Sequence, residues 1–333
     1  MNFTNLFNPY AYAMQLRRYL YRKGMLRARS AAVPVISVGN LSMGGTGKTP
    51  VTLFLASYCF RTLNKKTAIV LRGYKRKSSG NLIVSDGKTI LATVDASGDE
   101  AQLYAQEMPG LIVICDEDRI RGAQGAILLG AEVILLDDGF QHLRIKRDLN
   151  ILLINSAEGI PPVLPFGKGR EAESAMNDAD IVIRTDPESD FQSAGGYHNK
   201  PIVLARTILK SITLASGEEV IGKPQARKIL AVSGIAHPER FAKMIGESAV
   251  PFPLPDHVTY TSELVNQIIS TAKAEHCDAI ATTTKDAVKL LPLFQELLAK
   301  DASTPQLYVY HITMDFSVGK DLLLSKINEL FKQ

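Results

Sequence analysis

Residues 33–50, VPVISVGNLSMGGTGKTP, decide the fold. An apolar, β-branched run leads into a glycine-rich turn that closes on Gly47-Lys48-Thr49. Glycines at 44, 45 and 47 let several backbone N–H groups converge on one polyphosphate, and a helix starting after the turn adds the positive end of its dipole. On this reading Gly44, Gly45, Thr46, Gly47, Lys48 and Thr49 form a nucleotide cradle, with Lys48 reaching the β- and γ-phosphates and the Thr49 hydroxyl ligating Mg²⁺. The strict pattern asks for glycine at position 42, where this chain has Ser42. A plain glycine-rich turn with a surface lysine explains the glycines, but not their order with Lys48 and Thr49 between a strand and a helix-compatible run.

A second strand supports the first. Residues 132–142, EVILLDDGFQH, carry Asp137 and Asp138 at the carboxyl end of a buried run, where a P-loop protein places the acid that meets Mg²⁺. Ligands gather at the carboxyl ends of open α/β sheets, so this tip is expected to face the loop after Val38. Further Val/Ile/Leu runs at 68–71, 111–115, 151–154, 181–183 and 202–205 read as strands buried on both faces. Helices are predicted at 51–63, 100–107, 119–129 and 174–179. The alternation is that of a doubly wound, mostly parallel sheet.

Near 207–227 the pattern becomes a short run, a Ser216-Gly217 turn and a second short run, which reads as a hairpin linker. A second series follows, with strands at 229–232, 279–282 and 307–311 and helices at 238–244, 262–275, 285–300 and 319–331. The expected organisation is a helix at 1–30, a P-loop domain at 31–206, a linker at 207–227 and a smaller α/β domain at 228–333.

Composition fits a globular protein, with 46% hydrophobic and 22% charged residues. No run reaches the length of a spanning helix and no secretory leader is evident, so a cytoplasmic location is expected. Cys59, Cys115 and Cys277 lack metal-ligand spacing and read as reduced, buried thiols. The net charge of +4 conceals an asymmetry: no acidic residue precedes Asp86, while residues 1–85 hold 14 Lys and Arg. Such a segment attracts anions. Nucleic acid is not expected, since no binding module is recognisable, and no obligate protein partner is evident. Residues 10–29 read as a basic amphipathic helix, with Ala13, Leu16 and Leu20 on one side and Arg18 and Arg22 opposite. Such a helix either lies on an anionic membrane surface or packs on its own domain with solvated arginines.

Seven segments resemble the tetraacyldisaccharide 4'-kinase family: VGNLSMGGTGKTP, Leu71-Arg72-Gly73-Tyr74, Gly98-Asp99-Glu100, DDGFQH at 137–142, Ser233-Gly234-Ile235, Pro255-Asp256-His257 and TKDAVKL at 284–290. The resemblance implies two α/β domains joined by a two-stranded linker, with ATP and Mg²⁺ on the first. It implies transfer of the γ-phosphate to the 4'-hydroxyl of an acylated disaccharide 1-phosphate lipid, in lipid A biosynthesis, at the cytoplasmic face of the inner membrane of Gram-negative bacteria. It further implies Asp99 as the base with His257 as its partner, Glu171 beside Asp137 and Asp138 near the metal, and Arg170 near the nucleotide. Arg72, Arg170 and His142 are the expected substrate contacts. Arg119 and Arg121 are weaker candidates, equally readable as helix-face charges. Competing readings are a soluble P-loop kinase or ligase for a small metabolite and a nucleotide-dependent switch. The switch is disfavoured because Thr284-Lys285-Asp286 lacks the spacer of a guanine-recognition motif and Met43 stands where partition-type ATPases carry lysine.

Overall fold

A computed structural model describes residues 8–186, 199–256, 258–298 and 304–332. The chain divides into two compact units, Met1–Thr207 with Met314–Gln333, and Ile208–Thr313. The first unit starts with α1 (Pro9–Arg22), β1 (Val35–Asn40) and α2 (Lys48–Ser57), prolonged by a π-helical turn at Tyr58–Thr62. It continues through β2 (Thr67–Leu71), β3 (Leu82–Asp86), the single turn α3 (Val94–Ser97), α4 (Asp99–Glu107), β4 (Ile112–Cys115) and α5 (Arg119–Leu128). Next come β5 (Val133–Asp137), β6 (Leu149–Asn155), a 3-10 turn at Glu173–Asp178, β7 (Ile181–Thr185) and β8 (Ile202–Leu214). The second unit holds β9 (Ile229–Ser233), α6 (Pro238–Ile245), β10 (Ala249–Pro253), α7 (Ser262–Ala274), β11 (Ala279–Thr283) and α8 (Thr284–Leu298). Strand β12 (Gln306–Val318) then returns the chain to the first unit, where α9 (Lys320–Glu329) closes it.

Strands of the first unit run β8-β7-β6-β1-β5-β2-β4-β3. All the pairings from β8 to β4 are parallel, and β3 alone is antiparallel, at the edge. Both faces are covered, which is why its strands are continuously apolar. Ile36, Val38, Ile69 and Leu135 pack with α2 and α4, while Val35, Val70, Ile134 and Leu136 pack with α5. In the second unit β10-β9-β11-β12 is all parallel. Leu230, Val232 and Ile280 meet α7 and α8 on one face, and Ala231, Ala279 and Ala281 meet α6 on the other.

Several expectations change. The final helix does not belong to the second unit: Leu323 and Ile327 of α9 enter the core formed by α2 and β1. The hairpin exists, with Leu214 N–H donating to Glu218 O and Val220 N–H to Ile212 O. Its first arm, however, is the end of the 13-residue strand β8, and the chain passes between units within β8 and again within β12. Helix α1 stops at Arg22 rather than continuing to 29, with Gly24 at φ 71° just beyond. Two strands escaped the sequence reading: β3, an antiparallel edge with a bulge, and β10, whose Pro251 and Pro253 suppress a strand assignment yet are tolerated at an edge. All three cysteines are buried and unbridged.

Candidate active site

The phosphate loop lies between β1 and α2. Gly47 adopts the left-handed region at φ 79° and Gly44 sits at φ 133°, conformations that L side chains rarely take. Gly47 is the N-cap of α2 and offers no side chain, so the first-turn amides stay open to an anion. Pro50 is harmless there, because a first-turn residue needs no donor. The loop is braced from below: Asn40 Nδ2 donates to Thr46 Oγ1 at 2.9 Å, and Thr185 Oγ1 donates to Thr46 O at 3.1 Å. Ser42, the departure from the strict pattern, is buried and bridged to Gly169, so it serves the base of the loop.

Parallel pairing sets Val38 beside Asp137, bringing the acids to the loop. Asp138, with φ 51°, faces Lys48 Nζ at 3.6 Å and accepts from Arg170 Nη1 at 2.6 Å. Burial alone would raise its carboxyl, but Lys48 and then Arg170 hold it below the ordinary value. Asp137 is 2% exposed and is pushed up to about 7, first by burial and then by the charge of Glu100. Tyr104, fully buried on α4, donates to Asp137 Oδ2 at 2.9 Å. Neighbouring carboxylates are thus driven apart, which marks a charged site rather than a surface turn.

Among the described residues no group of three or more His, Cys, Asp or Glu side chains gathers as a metal site. Mg²⁺ in nucleotide sites takes only one or two carboxylates, with phosphates and water completing its shell. Asp138 Oδ1 makes no hydrogen bond and faces only the Lys48 ammonium at 3.6 Å, and Asp137 is raised by burial and then by Glu100; the two carboxylates fit the donor set that Mg²⁺ takes.

Other expected site residues are placed as follows. Asp99 opens α4 after Gly98, which makes no side-chain cap, so it is not an N-cap residue. Arg72 is exposed beside Gly73. Arg119, weighed only weakly from sequence, is buried, and the charges of Asp138 and Asp137 act on its guanidinium. His142 is half-buried, its imidazole lowered to about 4 by burial and then by Arg119, so near neutral pH it is uncharged and unsuited to clamp a phosphate as a cation. Glu171 is buried against the Arg18 guanidinium, and it does not gather with Asp137 and Asp138 into a three-ligand group. His257 lies outside the described residues.

Helix α1 turns Arg18 inward, against the reading in which the helix packs on its domain with solvated arginines. Arg18 is 4% exposed and Arg22 pairs with Asp178 at 2.6 Å, whereas Tyr12, Leu16 and Tyr19 are 53%, 57% and 51% exposed. The residues missed by sequence reasoning, Arg18, Tyr104 and Asn40, act through contacts made by folding. For Asn40 alone a signal existed, its place just before the loop.

A family description, tetraacyldisaccharide-1-P 4'-kinase, matches residues 4–332. The chain belongs to this family. It is an ATP-dependent kinase with a P-loop fold. Tetraacyldisaccharide 4'-kinase of Desulfotalea psychrophila is 38% identical over 304 residues, covering 86% of this chain and 87% of the relative. That of Pelobacter propionicus is 38% identical over 307 residues, covering 87% and 83%. Among solved structures, LpxK from Aquifex aeolicus in complex with ATP superimposes with a TM-score of 0.77 at 30% identity, covering 97% of this chain and 96% of that one. Among the described residues no helix is long and apolar enough to cross a membrane.

Proposed function

We propose that the chain transfers the γ-phosphate of ATP to the 4'-hydroxyl of tetraacyldisaccharide 1-phosphate, with Asp99 as the base and a membrane surface as the place of reaction. The observation that carries this reading is the open amide loop set against Lys48 and the Asp137–Asp138 pair, in a chain of this family. Thr49 and that pair would hold Mg²⁺, which would supply positive charge to the β- and γ-phosphates. The loop amides and Lys48 hold the triphosphate, while Arg170 keeps the Asp138 carboxylate oriented. The acceptor oxygen attacks the γ-phosphorus, the bond to the bridging oxygen breaks, ADP leaves, and the hydroxyl proton passes to Asp99. Helix α4 suits this division of labour, since it begins at Asp99 and its Tyr104 bonds Asp137. His257, with Asp256 beside it, is assigned as the partner of Asp99 by family resemblance. Arg72 is assigned to a phosphate of the lipid.

Asp99→Ala should abolish turnover while calorimetric ATP binding persists. Turnover at the wild-type rate would refute Asp99 as base.

Docking on lipid is supported by the outward face of α1. Tyr12, Ala13, Gln15, Leu16 and Tyr19 line a shallow open groove, and the segment around it is cationic. Tyrosines at such a surface place an apolar ring in the interface and a hydroxyl in water. Leu16→Ser with Tyr19→Ser should lose sedimentation with anionic phosphatidylglycerol vesicles; undiminished sedimentation would remove α1 as the docking element.

A further inference from the structure

The buried face of α1 carries an arginine. A guanidinium 4% exposed in a protein interior is costly unless its donors are all engaged. Arg18 Nε donates to Glu171, Nη1 to Asp178 Oδ2 at 2.6 Å and Nη2 to Phe140 O at 3.1 Å, and the plane lies 4.6 Å over the Phe140 ring. The preceding residue repeats the pattern, since Arg17 Nη1 donates to Gln141 O at 3.2 Å. Consecutive arginines therefore hold consecutive carbonyls of the turn that begins at Asp138.

Both ends of that grip lead to the phosphate site. Asp138 lies two residues before Phe140 and faces Lys48. Arg170 directly precedes Glu171, bonds Asp138, and sends its own N–H to Leu41 O at 2.6 Å. Gln141 Nε2 donates to Asn40 O at 2.7 Å, fixing the turn to the end of β1. The turn also packs hard on β1: a Cβ on Gly39 would come within 2.7 Å of Phe140 Cβ. A shift at Arg18 is therefore passed to Asp138 and Arg170 through short, stiff connections.

We propose that Arg18 is a positioning residue for phosphoryl transfer: it locks the turn after Asp138 and the Arg170–Glu171 segment in the geometry that the phosphate loop requires, so that the seating of α1 sets the catalytic rate. Arginine is needed because three acceptors lie around one planar fork, a pattern that a lysine ammonium cannot reproduce. A misplacement of about 1 Å at a phosphoryl-transfer site costs roughly 100-fold in rate.

The test uses the full chain with ATP, Mg²⁺ and the disaccharide lipid in mixed micelles. Arg18→Met should lower kcat by about tenfold or more while KM for ATP stays within roughly threefold of wild type. Arg18→Lys should fall between the two. Arg22→Gln, which removes only an exposed contact to the same Asp178, should stay within about twofold of wild type. The proposal is overturned by wild-type kcat in Arg18→Met, or by a fall in kcat that only matches the fall in calorimetric ATP-binding stoichiometry. If Arg18→Met fails to fold, Arg18→Lys decides: a reduced kcat with unchanged ATP affinity supports the role, and an unchanged kcat refutes it.

Discussion

Each unit places a loop at the carboxyl end of a parallel strand, yet only one of the two leaves its amides open. After β1, the loop ends at Gly47, whose lack of a side chain exposes the first-turn donors of α2. After β9, Gly234 N–H is already bonded to Asp286 Oδ2 at 3.0 Å, and Asp286 is tied further to Thr283 and to the Tyr260 side chain. The second unit carries its own carboxylate where the first admits a phosphate. Fold alone therefore does not make a nucleotide site; unsatisfied donors beside a lysine and paired acids do.

The contrast can be broken at its strongest point by Lys48→Ala, which leaves the γ-phosphate charge unbalanced. A fall in kcat of about 1,000-fold, roughly 4 kcal/mol of barrier, is expected in steady-state assays. On the self-capped side, Asp286→Ala strands the Gly234 donor in a buried place, and about 2–3 kcal/mol of stability should be lost in urea unfolding, with ATP affinity unchanged. An ATP affinity that fell with it would show that the two loops are not independent.

A third comparison uses pH. The His142 imidazole is held near 4 in the folded chain, below the value of 6.5 for the free side chain. Its contribution is therefore present above about 6.5 and is lost as pH falls towards 4. The His142→Gln variant should lose about 2 kcal/mol less stability than wild type between those limits, read from melting at fixed salt. Equal losses would show that the ring is not held neutral. The smallest effect is expected from Gly47→Ala, where the left-handed backbone costs about 1 kcal/mol and ATP affinity should drop roughly fivefold by calorimetry.

The parallel sheet was legible because fully buried strands are written as unbroken Val/Ile/Leu runs, and the phosphate loop because its glycines are required by backbone geometry. Edges were not: β10 carries two prolines and β3 pairs on one side only. The inward turn of Arg18 could not be read from periodicity, because its partners Glu171 and Asp178 lie 153 and 160 residues away and no local pattern announces them. For the same reason the pairing of Glu171 with Arg18 is not written in the local sequence. The second-unit loop shows a role that local sequence leaves out: Asp286 stands in the first turn of α8, as the helix at 285–300 requires, and it also closes the loop after β9.

The central claim is that the open amides around Gly45, with Lys48 and the Asp137–Asp138 pair, deliver a γ-phosphate to a lipid hydroxyl. It is tested most directly by incubating the purified chain with γ-labelled ATP, Mg²⁺ and tetraacyldisaccharide 1-phosphate in mixed micelles, then locating the label on the product. The account predicts label at the 4'-position with wild-type protein and none with Lys48→Ala. Label at another position, or equal transfer by both proteins, would contradict it.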